Sequence, residues 1–223
     1  MVNTWKNHFK LNKTILLLFL CISISAFADD QNWTKNSISV KRLNGISFRL
    51  ANEIKYRSWD WNDGVFTKNW AFGVGKKLGN GFSISFNYKQ ELTRSSTGNS
   101  ALERRPNFDI SWKRGLSNRS AFDLRLRTEI RKYDNGRKPD HYRFRFRFRF
   151  TAHRSILGHP VEPYLAIEPF YDTTSDSFSK YRFSTGLMVP IIRHTKLRLG
   201  YLMEDARKGS THHVFSTGIS LSF

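Results

Sequence analysis

Tyr142-Arg143-Phe144-Arg145-Phe146-Arg147-Phe148-Arg149-Phe150 is the stretch on which the reading of this chain turns. A strand directs successive side chains to opposite faces. As a strand, the run places Tyr142 and four phenylalanines on one face and Arg143, Arg145, Arg147 and Arg149 on the other. As a helix, it would scatter benzyl and guanidinium groups around the cylinder and leave no face to bury. A sheet in water gains little from an arginine ladder behind a wall of phenylalanine. A strand between hydrocarbon and a wet interior gains from both faces.

The same period of two recurs along the chain. Ile46, Phe48, Leu50, Ile54 and Tyr56 alternate with Ser47, Arg49, Glu53, Lys55 and Arg57. Phe82 to Leu92, Phe122 to Ile130, Thr195 to Met203 and Phe215 to Phe223 repeat the pattern. Turn residues divide the strands into two alternating classes. Asn44-Gly45, Gly79-Asn80-Gly81, Leu116 to Arg119, Ser155 to Pro160 and Arg193-His194 are short breaks. Asp60 to Gly64, Ser95 to Glu103, Asp134 to Asp140, Asp172 to Ser177 and Asp205 to Ser210 are longer and more polar. Short turns at one end and longer loops at the other are the habit of outer-membrane barrels. The expectation is an all-β fold: a single antiparallel transmembrane β-barrel over residues 29–223. Ten strands from Ile46 onward are favoured, with Trp33 to Leu43 as an N-terminal pairing segment; twelve strands is the alternative.

Residues 1–28 read as a cleaved signal peptide. Lys6, Lys10 and Lys13 precede a short apolar core, and Ala26-Phe27-Ala28 is a cleavage site. Cys21 is the only cysteine. It follows Leu20, which is too large for a lipoprotein site. After cleavage no thiol remains for a disulfide, a metal or a nucleophile. The formal charge of +19 points to an anionic partner. Export argues against nucleic acid. The expected partners are outer-membrane lipids, the barrel-assembly machinery and small anionic solutes, in a Gram-negative outer membrane. A mean hydropathy of −0.52 suits a barrel, whose strands are half polar.

The apolar phase assigns sixteen basic and eight acidic residues to the inward face. The candidate anion track comprises Arg125, Arg127, Arg131, Arg143, Arg145, Arg147, Arg149, Arg182 and Arg198. Two readings of the interior stand: a packed barrel with paired charges, or a narrow watery pore with an arginine wall that passes anions. Arg125, Arg127 and Arg131 face the ladder across one hairpin, so Glu162, Glu168 or an anion is expected to offset like-charge repulsion. Catalytic signals are thin. No histidine pair has metal-binding spacing. Ser210 with His212-His213, and Glu129 with Glu168, are the nearest approaches to a catalytic set. They read better as a strand start and as salt-bridge partners. No enzyme activity, cofactor or metal is expected.

Trp33-Thr34, Tyr56-Arg57, Leu124 to Glu129, Tyr142 to Arg145, Glu168-Pro169-Phe170, Arg182 to Leu187 and Leu199-Gly200-Tyr201 carry a family resemblance. Together they resemble an uncharacterised family of short bacterial outer-membrane barrels, a domain of unknown function. More distantly the chain is similar to small porins for acidic oligosaccharides, the oligogalacturonate-specific porin family. The resemblance implies a barrel in the outer membrane and, from the distant relatives, passage of acidic oligosaccharides. Ile219, Leu221 and the terminal Phe223 are similar to the assembly signal of outer-membrane proteins.

Overall fold

The computed structural model describes residues 31–41, 43–57, 65–95, 98–134, 139–156, 158–207 and 209–223. The leader sequence, Trp59 and Trp61 lie outside them. Twelve strands follow one another: β1 (Gln31–Lys41), β2 (Ile46–Tyr56), β3 (Val65–Gly79), β4 (Phe82–Arg94), β5 (Ser100–Ser117), β6 (Ser120–Tyr133), β7 (His141–Ala152), β8 (Arg154–Ile156), β9 (His159–Asp172), β10 (Ser177–Ile192), β11 (Thr195–Ala206) and β12 (Thr211–Ser222). Eleven of them close into one ring. The three-residue β8 pairs only with β9, forming a small hairpin in the Ser155 to Pro160 break. The eleven wall strands run from 11 to 18 residues, long enough to cross hydrocarbon while tilted.

The strand count of ten, and the wholly antiparallel wall, require correction. The N-terminal segment is a full eleven-residue strand. It pairs antiparallel with β2 from Asn32–Tyr56 to Lys41–Ser47. Its other edge runs parallel to β12, from Gln31–Val214 to Ser39–Ser222. An up-and-down wall closes antiparallel only with an even number of strands. An eleventh strand therefore forces one parallel seam. The backbones approach closely there: a Cβ on Gly218 would lie 1.8 Å from the Lys35 carbonyl oxygen.

Turn chemistry appears where the sequence places it. Asn44, Asn80 and His194 hold φ of 64°, 47° and 67° at short turns, as asparagine readily does. The Ser95 to Glu103 loop is shortened, because β5 begins at Ser100. The arginine–phenylalanine run lies in β7 and keeps its expected phase. Tyr142, Phe146, Phe148 and Phe150 are exposed on the outer wall, while the arginines between them are partly buried. Most buried residues are polar or charged, and they lie on the inner face.

Candidate functional site

The interior wall divides at mid-height. Toward the long loops, acids and bases are densely paired. Arg131 grips Glu103 at 2.5 and 2.7 Å, and Arg105 holds Glu103 and Glu91 at 2.8 and 3.3 Å. Arg145 bridges Glu129 at 2.7 Å and Glu168 at 2.9 Å. Arg143 meets Asp172 at 2.7 Å, and Arg182 meets Glu204 at 2.5 Å. Lys35, Lys55 and Lys89 surround Glu53 and Glu91. These charges are taken out of bulk water, so each needs its partner.

Two aromatic rings sit among them. Phe170 is 1% exposed. Arg145, Arg182, Lys180 and Arg143 lie 4.6, 4.8, 5.4 and 5.9 Å from its centroid. Trp33 carries Lys55, Lys35 and Arg182 at 4.2, 4.5 and 5.3 Å and packs with Leu202 and Val214. Such faces attract cations through the ring quadrupole. Arg182 on β10 thus reaches the ring of Trp33 on β1, with β11 and β12 between them in the wall. The long-loop half is a packed girdle.

Toward the short turns, the balance changes. Arg127 is matched by Asp109 at 2.6 and 2.7 Å, and Arg147 by Asp123 at 2.5 Å. Lys196 holds Glu162 at 2.8 Å. Among the described residues, no carboxylate lies within ion-pair distance of Arg49, Arg149 or Arg198. Arg149 stacks over Tyr164 at 4.3 Å and reaches Met188 Sδ at 3.4 Å. The Nε atoms of Arg149 and Arg198 are buried without a hydrogen-bond partner. Arg198, Arg127 and Arg147 act on Arg49 as like charges and Asp109 as an opposite one. A cavity of about 160 Å³ opens beside Arg49 and Arg198. Ser37, Ala51, Ala71 and Gly73 line it together with Arg49, Arg127 and Arg198, and it extends to Lys35, Glu53 and Lys89 of the girdle.

The sequence-selected arginines therefore separate into two groups. Arg125, Arg127, Arg131, Arg143, Arg145, Arg147 and Arg182 are all held by carboxylates. Arg149 and Arg198 are not, and Arg49, which the inward phase contains, joins them. Register sets Arg125 opposite Arg147 and Arg127 opposite Arg145. Glu168 bridges Arg125 at 2.6 Å and Arg145 at 2.9 Å across that repulsion. Glu162 instead serves Lys196. The inward acids Glu103 and Asp172 escaped the sequence reading because both were assigned to loops. Trp33 and Phe170 lie on the inner face, opposite to the phase of the tyrosine and phenylalanines of β7. Parity with Glu168 two residues earlier places Phe170 on the inner face.

The catalytic alternatives find no assembled set. His212 Nε2 and Ser210 Oγ are 3.1 Å apart. His213 lies on the opposite face of β12, with its Nδ1 2.5 Å from the Tyr201 hydroxyl. Glu129 and Glu168 share Arg145. Among the described residues no group of His, Cys, Asp and Glu is arranged to hold a metal. At the chain end, Phe223 stacks on His194 at 5.4 Å. Its N–H donates to the Ser39 carbonyl at 2.9 Å, and its carbonyl accepts from Lys41 N at 2.8 Å.

A family described as "Protein of unknown function (DUF2490)" matches residues 30–213. No curated protein matches by sequence. Among solved structures, the NanC porin is similar over 87% of this chain and 99% of its own, with 13% identity and a TM-score of 0.57. The KdgM porin, solved with disordered oligogalacturonate, covers 87% of this chain and 98% of its own, with 15% identity and a TM-score of 0.48. The first of these likenesses is one of fold.

Proposed function

We propose, from the premise that this chain belongs to the DUF2490 family of proteins of unknown function, that it is an outer-membrane channel for small anionic solutes. The observation that carries this reading is the group Arg49, Arg149 and Arg198, none of which has a carboxylate within ion-pair distance among the described residues, with Arg49 and Arg198 lining a cavity of about 160 Å³. Uncompensated charge inside a wall is costly. Water and a transient anion lower that cost. Guanidinium groups bind carboxylates through paired hydrogen bonds, and hydration keeps such contacts weak enough for release. The cavity has room for about five waters at the volume each takes in the liquid. Acidic oligosaccharides are the class suggested by the sequence resemblance.

The remaining parts of the reading fit this one. Removal of residues 1–28 delivers the chain to the periplasm. The terminal Phe223, with Leu221 and Ile219, engages the barrel-assembly machinery. The apolar outer wall contacts outer-membrane lipid, and the short turns face the periplasm. The chain acts without a cofactor and performs no chemistry on its solute.

A second reading, a non-conducting barrel, is favoured by the packed girdle around Trp33 and Phe170. Planar-bilayer recording across a salt gradient separates the two. The channel reading expects discrete conductance steps with a reversal potential on the anion side. Silent bilayers, or cation preference, overturn it. Arg49→Glu with Arg198→Glu is expected to move the reversal potential toward cations, and an unmoved potential removes these residues from the path.

A further inference from the structure

The short-turn end of the barrel is a basic crown. Its strand ends and turns span residues 39–47, 76–83, 113–121, 152–160, 190–196 and 219–223, and they contain no Asp or Glu. Lys76, Lys77, Arg114, Arg119, Arg154 and Arg193 are exposed there. Among the described residues, none of the six has a carboxylate within ion-pair distance. The opposite end is mixed: Asp134, Asp140, Asp176 and Asp205 stand among its bases, and Arg104 pairs with Asp134 at 3.0 Å. The excess charge of the chain is thus concentrated at one end as well as inside the wall.

The crown is also greasy. Leu78, Leu116, Ile156 and Ile192 are exposed at the same height. They continue the apolar outer wall to the level of the bases. A site for a soluble polyanion has no use for a ring of exposed aliphatic side chains. A membrane boundary requires both, because long cationic side chains rest on hydrocarbon and present their heads to the phosphates. The turns that hold the crown are tight, with Asn44, Asn80 and His194 in the left-handed region, so its height on the barrel is set by the fold.

We propose that this crown binds the anionic head groups of phospholipids in the leaflet next to the short turns. The proposal commits to phosphodiester head groups carrying a net negative charge. It concerns the outer rim and is independent of conduction through the lumen.

The test uses the full folded barrel in dodecyl maltoside micelles, with phosphatidylglycerol or phosphatidylcholine added, and counts retained lipid by native mass spectrometry. Phosphatidylglycerol is expected to be retained about tenfold over phosphatidylcholine, since near-surface bases attract a head group with net negative charge. Combining Lys76→Gln, Lys77→Gln, Arg114→Gln and Arg119→Gln is expected to reduce the ratio to near one. Arg104→Gln with Lys132→Gln, at the other end, is expected to leave it unchanged. Should the fourfold variant not fold, raised salt on the unaltered barrel must abolish the preference, as screening requires. Equal retention of the two lipids, or equal loss from the two variants, overturns the proposal. Displacement of the lipid by inorganic phosphate or by polyglutamate at matched charge also overturns it, since the site would then be a general anion patch.

Discussion

The two halves of the lumen solve the same electrostatic problem in opposite ways. Near the long loops, Arg105, Arg131, Arg143 and Arg145 each have a carboxylate within 2.9 Å, and Phe170 and Trp33 fill the space between them. Near the short turns, Arg49, Arg149 and Arg198 have no carboxylate within ion-pair distance among the described residues, and Arg49 and Arg198 line a cavity. The first arrangement stabilises a folded wall and restricts passage. The second retains charge that can act on something else. The difference teaches that arginine content alone says little about an anion path; what matters is which arginines the fold leaves unpaired.

The contrast breaks most severely at Glu129. Its carboxylate is 1% exposed and accepts from Arg145 at 2.7 Å, with Arg105 and Arg127 also in electrostatic reach. Glu129→Gln is expected to destabilise the barrel by about 3–5 kcal/mol, the usual cost of removing one member of a buried pair. Urea unfolding in vesicles or micelles measures it. A loss below about 1 kcal/mol, the typical worth of an exposed pair, would mean that the girdle is wet and that the two halves do not differ. The seam is a second point of attack. Gly218→Ala sets a Cβ 1.8 Å from the Lys35 carbonyl oxygen. It is expected to cost about 1–3 kcal/mol by overpacking, read in the same unfolding assay. An unchanged midpoint would argue that β1 does not close against β12 in parallel.

The parts of this design that could be read in advance are those fixed by local order. The alternation from Tyr142 to Phe150 specifies a strand and its two faces, because one register slip would turn every arginine to the outer wall. Asn44-Gly45 and Gly79-Asn80-Gly81 announce tight turns through their conformational freedom. β1 was harder. Gln31 to Lys41 has only Ile38 and Val40 as aliphatic residues on its outward phase, so periodicity could not certify it as a wall strand. The pairing of charges was out of reach. Glu168 neutralises Arg125 two strands away, and that depends on stagger and curvature rather than on neighbours in the chain. The same limit hid the distinction between Arg147, which pairs with Asp123, and Arg149, which stacks on Tyr164 and reaches Met188 although Asp123 is its cross-strand neighbour.

Trp33 tests whether the girdle is the restriction. It is 3% exposed, packs with Leu202 and Val214, and lies beneath Lys35, Lys55 and Arg182. Trp33→Ala removes the largest side chain of that cluster. Its stability cost is expected near 3 kcal/mol, at the low end for loss of a buried aromatic residue because water can enter the gap. The single-channel current is expected to rise severalfold. A fall in stability without any rise in current would place the narrowest point elsewhere, at the arginines themselves.

The smallest expected effect on stability is the sharpest test of the comparison. Arg49→Ala removes a charge that Arg198, Arg127 and Arg147 repel and Asp109 attracts. Its loss is expected to alter folding free energy by no more than about 0.5 kcal/mol, as for substitutions that break no specific contact. Selectivity, by contrast, is expected to shift measurably toward cations, because a charge beside the cavity acts on an ion in transit even when it does nothing for the fold. Lys55→Ala in the girdle should show the reverse: Lys55 lies 3.6 Å from Glu53 and 4.2 Å from the Trp33 ring, so its loss costs stability while moving the reversal potential little. The two variants measured side by side, by urea unfolding and by reversal potential, form a crossed pair. If both shift stability and selectivity in proportion, the division of the lumen into a structural half and an acting half is wrong, and charge is used uniformly along the wall.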